Sequence, residues 1–258
     1  MRIKLTIQQL KKSQMIPINY QYPLSVFIYK TIESADPEHA DWLHKNGFSN
    51  GNKKFKLFTF SKLSIPEFRI IGNKIILESG RLHLIISMLI ENTIESFMVG
   101  IFTNQKFRIF DTITAADFVI KFVEIVPEPE FTETMKFHTL SPIVLTKKID
   151  NNGYKFLNPE DDEYPVYLRN NLLEKYRAYC ATRNIREQEY KIEEIKILSK
   201  PKQKLFKIKE GTPEENDIKA HYYDFEMKGS PKLMKFGYEA GFGKDCSLGF
   251  GCVKAIEN

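Results

Sequence analysis

"RLHLIISMLIENTIESFM", residues 81–98, decides how the first half of the chain is read. Residues 82–90 are apolar apart from His83 and Ser87, a run far short of the ~20 residues needed to cross a bilayer. Taken whole, 81–98 reads as one strongly apolar core helix. Upstream, residues 2–10 alternate, with Ile3, Leu5 and Ile7 on one face of a strand. Pro23 opens a helix whose apolar side is Leu24, Phe27, Ile28 and Ile32. Asp36 then suits an N-cap, Pro37 the first helical position and Gly47 the residue past the end of a second, short helix. "KLFTFSKL" (56–63), "EFRIIG" (67–72) and "KIILES" (74–79) read as strands, and "FVIKFVEIV" (118–126) closes this half as another. With the helix at 81–98, the order is strand, helix, strand, strand, helix, strand, which packs two helices on one face of an antiparallel sheet.

"VPEPEF" (126–131), with two prolines and two glutamates, is the best linker. Beyond it the order returns less clearly. "MKFHTLSPIVLTK" is an extended segment and "EDDEYPVYLRNNLLEKYRAYC" a helix with acidic residues at its N-terminal end. "YKIEEIKILS" and "LFKIK" look like strands paired with each other, and "IKAHYYDFEMK" like one more. "SPKLMKFGYEA" makes a helix begun by Ser230 and Pro231, and "GFGCVKAIE" the last strand. The fold class is therefore α+β: two tandem ferredoxin-like (RRM-like, βαββαβ) domains, 1–127 and 131–258, with a glycine-rich loop near the C-terminus.

Composition sets outer limits. The 258 residues are 42% hydrophobic, enough for a core, and the net charge of +5 permits an anionic partner. The N-terminus alternates polar and apolar residues, unlike a signal peptide, and no membrane association is expected. Cys180, Cys246 and Cys252 are odd in number and lack a CxxC spacing. That supports neither a disulfide framework nor a zinc site, so a reducing cytoplasm is expected, with no metal and no cofactor.

Five of the 13 glycines fall in "GYEAGFGKDCSLGFG" (237–251). A dinucleotide fingerprint would need a third glycine where Cys246 stands, and a strand before a helix. A phosphate loop would need Ser or Thr where Asp245 follows Lys244. Two readings stay open: a turn whose glycines supply positive φ, and a loop bringing backbone N–H groups and Lys244 close to an anion. Residues 191–209 hold seven lysines against Glu193 and Glu194. Lys200, Lys202 and Lys204 would share one strand face, followed by Lys207 and Lys209. That is either a solvated face or a basic hairpin tracking phosphates. Phe206 reads as core, and His83, His138 and His221 as structural.

"GYEAGFGKDCSLGFGCVKA" closely resembles the glycine-rich signature of the CRISPR-associated endoribonucleases that process precursor CRISPR RNA, the sixth Cas family of the RAMP superfamily. "IYKTIESADPEHADWLH", "KLFTFS", "TLSPIVL" and "SKPKQKLFKIKEG" are similar to further family segments, in the right order along essentially the whole chain. The resemblance implies metal-free cleavage of CRISPR repeat RNA. The ribose 2′-OH attacks the adjacent phosphate, leaving a 2′,3′-cyclic phosphate and a 5′-OH. It implies that His44 is the general acid or base, a task imidazole suits near neutral pH. Tyr29 would position or activate the 2′-OH, and Lys56 would stabilise the extra phosphate charge. His39 is the second histidine candidate; five positions before His44, it points roughly 140° away around a helix. Gly241, Gly243, Lys244, Gly249 and Gly251 would bind RNA together with the 200–209 lysines. The alternative is a non-catalytic RNA-binding RAMP subunit of a CRISPR effector complex. Monomer and homodimer are both open.

Overall fold

The structure is a computed structural model and describes residues 1–149 and 153–256. In the first half, β1 (Arg2–Gln9) and β2 (Met15–Pro17) precede α1 (Gln21–Ala35) and α2 (Pro37–Lys45). Short strands follow at β3 (Phe48–Asn50), β4 (Lys53–Phe55), β5 (Phe58–Phe60), β6 (Phe68–Ile71) and β7 (Lys74–Leu77). Then come β8 (Arg81–Met88), α3 (Glu91–Thr103), β9 (Lys106–Phe110) and β10 (Ala115–Ile125). The main sheet runs β5-β8-β1-β10-β9, all antiparallel. α1 and α3 pack together, and Leu24, Ile28, Ile32, Ile94, Phe97 and Ile101 share one core with Ile3, Leu5 and Ile7.

The decisive stretch is not one helix. Residues 81–88 are strand β8, and the helix begins only at Glu91. Leu82, Leu84, Ile86 and Met88 are buried in alternation, and the other face is covered too: Ser87 is buried, its hydroxyl donating to the Tyr238 carbonyl at 3.4 Å, and Ile85 is half-buried. A strand covered on both faces loses its polar alternation and reads like an apolar helix. The strand–helix order survives because the roles shift. β8 becomes the third core strand, while "EFRIIG" and "KIILES" leave the main sheet as β6 and β7 and form a separate sheet with β2. α1 also starts at Gln21, two residues before Pro23. α2 matches its signals: Asp36 caps it by accepting from the His39 backbone N–H, and Gly47 follows at φ +60°.

Residues 126–133 have no regular structure. Beyond them come β11 (Thr134–Thr139), β12 (Thr146–Lys148), β13 (Tyr154–Phe156) and α4 (Tyr164–Arg183). They are followed by β14 (Ile192–Ile197), β15 (Lys202–Ile208), β16 (Asn216–Tyr222), β17 (Asp224–Gly229), α5 (Pro231–Ala240) and β18 (Val253–Ile256); Glu257 of the expected last strand lies outside the described residues. The second main sheet runs β14-β17-β11-β18, so its four core strands take the same order as those of the first. The expected pairing of "YKIEEIKILS" with "LFKIK" is wrong. β14 pairs with β17, while β15 pairs with β16 as a hairpin outside the main sheet. "IKAHYYDFEMK" is accordingly two strands, β16 and β17, split at buried Tyr223. Local pattern marks a strand, but its partner depends on contacts far along the chain.

The halves share a core. Phe48, Leu57 and Ile90 from the first half pack among Leu168, Leu172 and Phe242 of the second. Buried Arg2 donates from its guanidinium to the Tyr238 and Val253 carbonyls, 2.6 and 2.5 Å away, and covers the Tyr238 ring.

Candidate functional site

A cleft of about 950 Å³ opens between the halves. One wall is α1, the end of α2 and the chain around β4; the other is α4, β12, β13 and the glycine-rich loop. Tyr29, His44 and Lys56 all line it. Tyr29 sits on the cleft side of α1, half-buried and roughly 100° around the helix from the stripe formed by Leu24, Ile28 and Ile32. His44 is exposed in the last turn of α2, and its ring meets the Tyr29 ring edge-on with centroids 5.3 Å apart. Lys56 follows β4, and its Nζ donates to the His44 carbonyl oxygen at 2.6 Å. Lys54 donates to the next carbonyl, that of Lys45. Two ammonium groups thus satisfy free carbonyls at the negative end of α2.

Burial pushes the Tyr29 phenol up to about 12, against a hydrogen bond with the Ser247 side chain that lowers it. It keeps its proton at neutral pH. Burial and then the charge of Lys54 push the Lys56 ammonium down to about 8. The cleft lining holds seven lysines against three carboxylates, and Tyr22, Tyr154 and Tyr167 add aromatic surface. Such a surface suits a polyanion with stackable bases. Among the described residues, no group of three His, Cys, Asp or Glu could hold a metal ion.

His39 is not part of this lining. Its Nε2 bonds Thr93 Oγ1 at 2.8 Å and its ring stacks on Trp42, while burial lowers its pKa. The 200–209 lysines do not line the cleft either. Lys202 and Lys204 are exposed on β15, whereas Lys200 precedes the strand and does not share its face. Lys207 pairs with Glu215 and Asp217, and Lys209 with Glu214. The charge excess of 191–209 is therefore partly neutralised from the other side of the hairpin. Phe206 is fully buried, as expected of core.

The glycines are neither a bare turn nor an open surface. Gly241, Gly243, Gly249 and Gly251 are all buried. The loop is wedged between the halves: Thr59 Oγ1 donates to the Phe250 carbonyl and Ser25 Oγ to the Ser247 carbonyl, both at 2.7 Å. At Gly249 (φ +89°) a Cβ would lie 2.5 Å from the Phe60 ring, and at Gly251 (φ +74°) 1.9 Å from the Phe242 carbonyl oxygen. The N–H groups of Gly241, Gly249 and Gly251 bond within the protein. The cleft meets instead residues 243–248, with Lys244 held by Thr146 Oγ1 over the Tyr154 ring. The sequence reading missed Ser25, Ser247 and Lys175. The only signal was Lys175 itself, a charge on the α4 stripe of Leu168, Leu172 and Tyr176.

The family models for the Cas6 N-terminal and C-terminal regions match residues 15–124 and 126–255. The chain belongs to the Cas6 family. It is 34% identical over 263 residues to the CRISPR-associated endoribonuclease Cas6 1 of Methanocaldococcus jannaschii, covering 100% of this chain and 94% of that protein. Identity to the CRISPR-associated endoribonuclease Cas6 of Pyrococcus furiosus is 29% over 258 residues, covering 99% and 89%. A solved structure from the characterization of a Cas6-related gene of P. furiosus matches with a TM-score of 0.81 at 28% identity, covering 100% and 99%. The Cas6 resemblance of the C-terminal glycine stretch thus holds over both halves.

Proposed function

We propose that this Cas6 protein is a repeat-specific endoribonuclease that cuts precursor CRISPR RNA without a metal, by attack of the 2′-OH on the adjacent phosphate. The products are a 2′,3′-cyclic phosphate and a 5′-OH. The observation that carries the reading is the meeting of Tyr29, His44 and Lys56, from three separate elements, on one lysine-rich cleft.

The reaction moves one proton off the 2′-oxygen and one onto the leaving 5′-oxygen, and concentrates negative charge on the phosphate between them. His44, exposed to the cleft, exchanges a proton with the RNA as general acid or base. Tyr29 stays a phenol and orients the 2′-OH by hydrogen bonding, since a group pushed up to about 12 is a poor base at neutral pH. Lys56 brings a partly desolvated cation to the phosphate, where a charge is worth more than in water. Lys30, Lys53, Lys54, Lys148 and Lys244 of the cleft hold the backbone on either side.

The test is cleavage of a CRISPR repeat RNA in EDTA. The wild type is expected to cut at one position and to leave a substrate with a 2′-deoxy ribose at that position intact. His44→Ala should slow cutting about 10²-fold or more, as loss of an acid–base group does. Tight binding without cutting would replace the enzyme with an RNA-binding subunit. Unimpaired cutting by His44→Ala would remove His44 from the mechanism.

A further inference from the structure

We infer that Lys175 is a positioning residue for the cleft's chemistry, setting the place of Tyr29 through the glycine-rich loop; this rests on the role proposed above for Tyr29. Lys175 is 3% exposed on the apolar stripe of α4, where a leucine or methionine would be accommodated without burying a charge. Its Nζ donates to the Gly241 carbonyl oxygen at 2.6 Å and to Cys246 Sγ at 3.1 Å. Among the described residues it forms no ion pair. Gly241 is the C-cap of α5, so the ammonium sits at the negative end of that helix. Cys246 opens the single 3₁₀ turn Cys246–Leu248. One cation therefore pins the loop at two points five residues apart.

The next residue after the second pin is Ser247. Its carbonyl takes the Ser25 hydroxyl of α1 at 2.7 Å, one turn before Tyr29 on the same helix. Lys175, Cys246, Ser247 and Ser25 thus form a continuous line from the interior of the second half to the helix that carries Tyr29. All four line the cleft. A charge placed there fixes where the loop meets α1, one turn before Tyr29, which apolar packing without hydrogen bonds cannot specify.

The test is a double-mutant cycle in single-turnover cleavage of repeat RNA, using wild type, Lys175→Met, Tyr29→Phe and the double variant, with binding measured in parallel. Lys175→Met is expected to slow wild-type cutting about tenfold while changing Kd less than about threefold, and to add less than about twofold in the Tyr29→Phe background. Equal slowing in both backgrounds would make Lys175 a general structural residue and overturn the inference, as would wild-type cutting by Lys175→Met. If Tyr29→Phe alone cuts at the wild-type rate, the proposed role of Tyr29 fails and the inference fails with it, through a different arm of the experiment. Should Lys175→Met not fold, Ser25→Ala enters the same cycle at the last link. It should slow the wild type but not Tyr29→Phe, and equal slowing of both again overturns the inference.

Discussion

A lysine beside another lysine on a half-buried wall gives up its proton early, and this predicts the alkaline side of the pH profile. Lys56 is pushed down to about 8 by burial and by Lys54. Its charge is present below that value and lost as pH rises through it, about two units earlier than for a free lysine. If Lys56 neutralises the phosphate, kcat/KM, which reports the free enzyme, should fall above about pH 8. Lys56→Arg keeps its charge far beyond that range and should remove the fall, whatever its effect on the plateau. The same limb in Lys56→Arg would assign it to another group. At this scale Tyr29, His44 and Lys56 could be singled out in the sequence because they match a family pattern, and all three line the cleft. It was unreadable where solvent exposure decides. Nothing local distinguishes Lys204, exposed, from Lys209, tied to Glu214.

Elements tell a different story about the glycines. The spacing of Gly241, Gly243, Gly249 and Gly251 was visible, yet not the reason for it, because what crowds each position comes from β5, from Ile143 and Val144, or from elsewhere in the loop. Gly251→Ala should destabilise the fold by upwards of about 3 kcal/mol, since positive φ is combined with a clash against backbone that cannot swing aside. Gly80, with open space around its Cβ position, is the control; Gly80→Ala should stay within about 0.5 kcal/mol. Urea unfolding of both variants checks this, and a mild Gly251→Ala would mean that the loop can shift. The misreading of residues 81–98 has the same origin. Whether an apolar run becomes strand or helix was settled by β1 and β5, which pair with β8 along both edges. Where the signals lie within a few residues, as with Asp36, Pro37 and Gly47 around α2, the sequence reading held.

For the molecule as a whole, the break in the chain at residues 126–133 is not a break in the packing. Phe48, Leu57 and Ile90 belong to the second half's core, and Arg2 spans 251 positions to reach Val253. The two sheets should therefore unfold together. Calorimetry is expected to give one transition with a van't Hoff enthalpy close to the calorimetric one, and two resolved peaks would show that the shared core does not couple them. The tandem order of elements could be read from sequence because each half repeats a local pattern. The interlock could not, because its contacts join residues at opposite ends of the chain.

The wedged loop also has a consequence for synthesis. Tyr29, His44 and Lys56 leave the ribosome early, and the glycine-rich loop that completes the opposite wall follows only after α5. A nascent chain, or one cut short before residue 241, carries all three groups yet lacks Ser247 and the rest of the glycine-rich loop that closes the opposite wall. Unfinished copies should then be inert, so that a cell translating this protein beside its own transcripts is not exposed to stray cutting by incomplete chains.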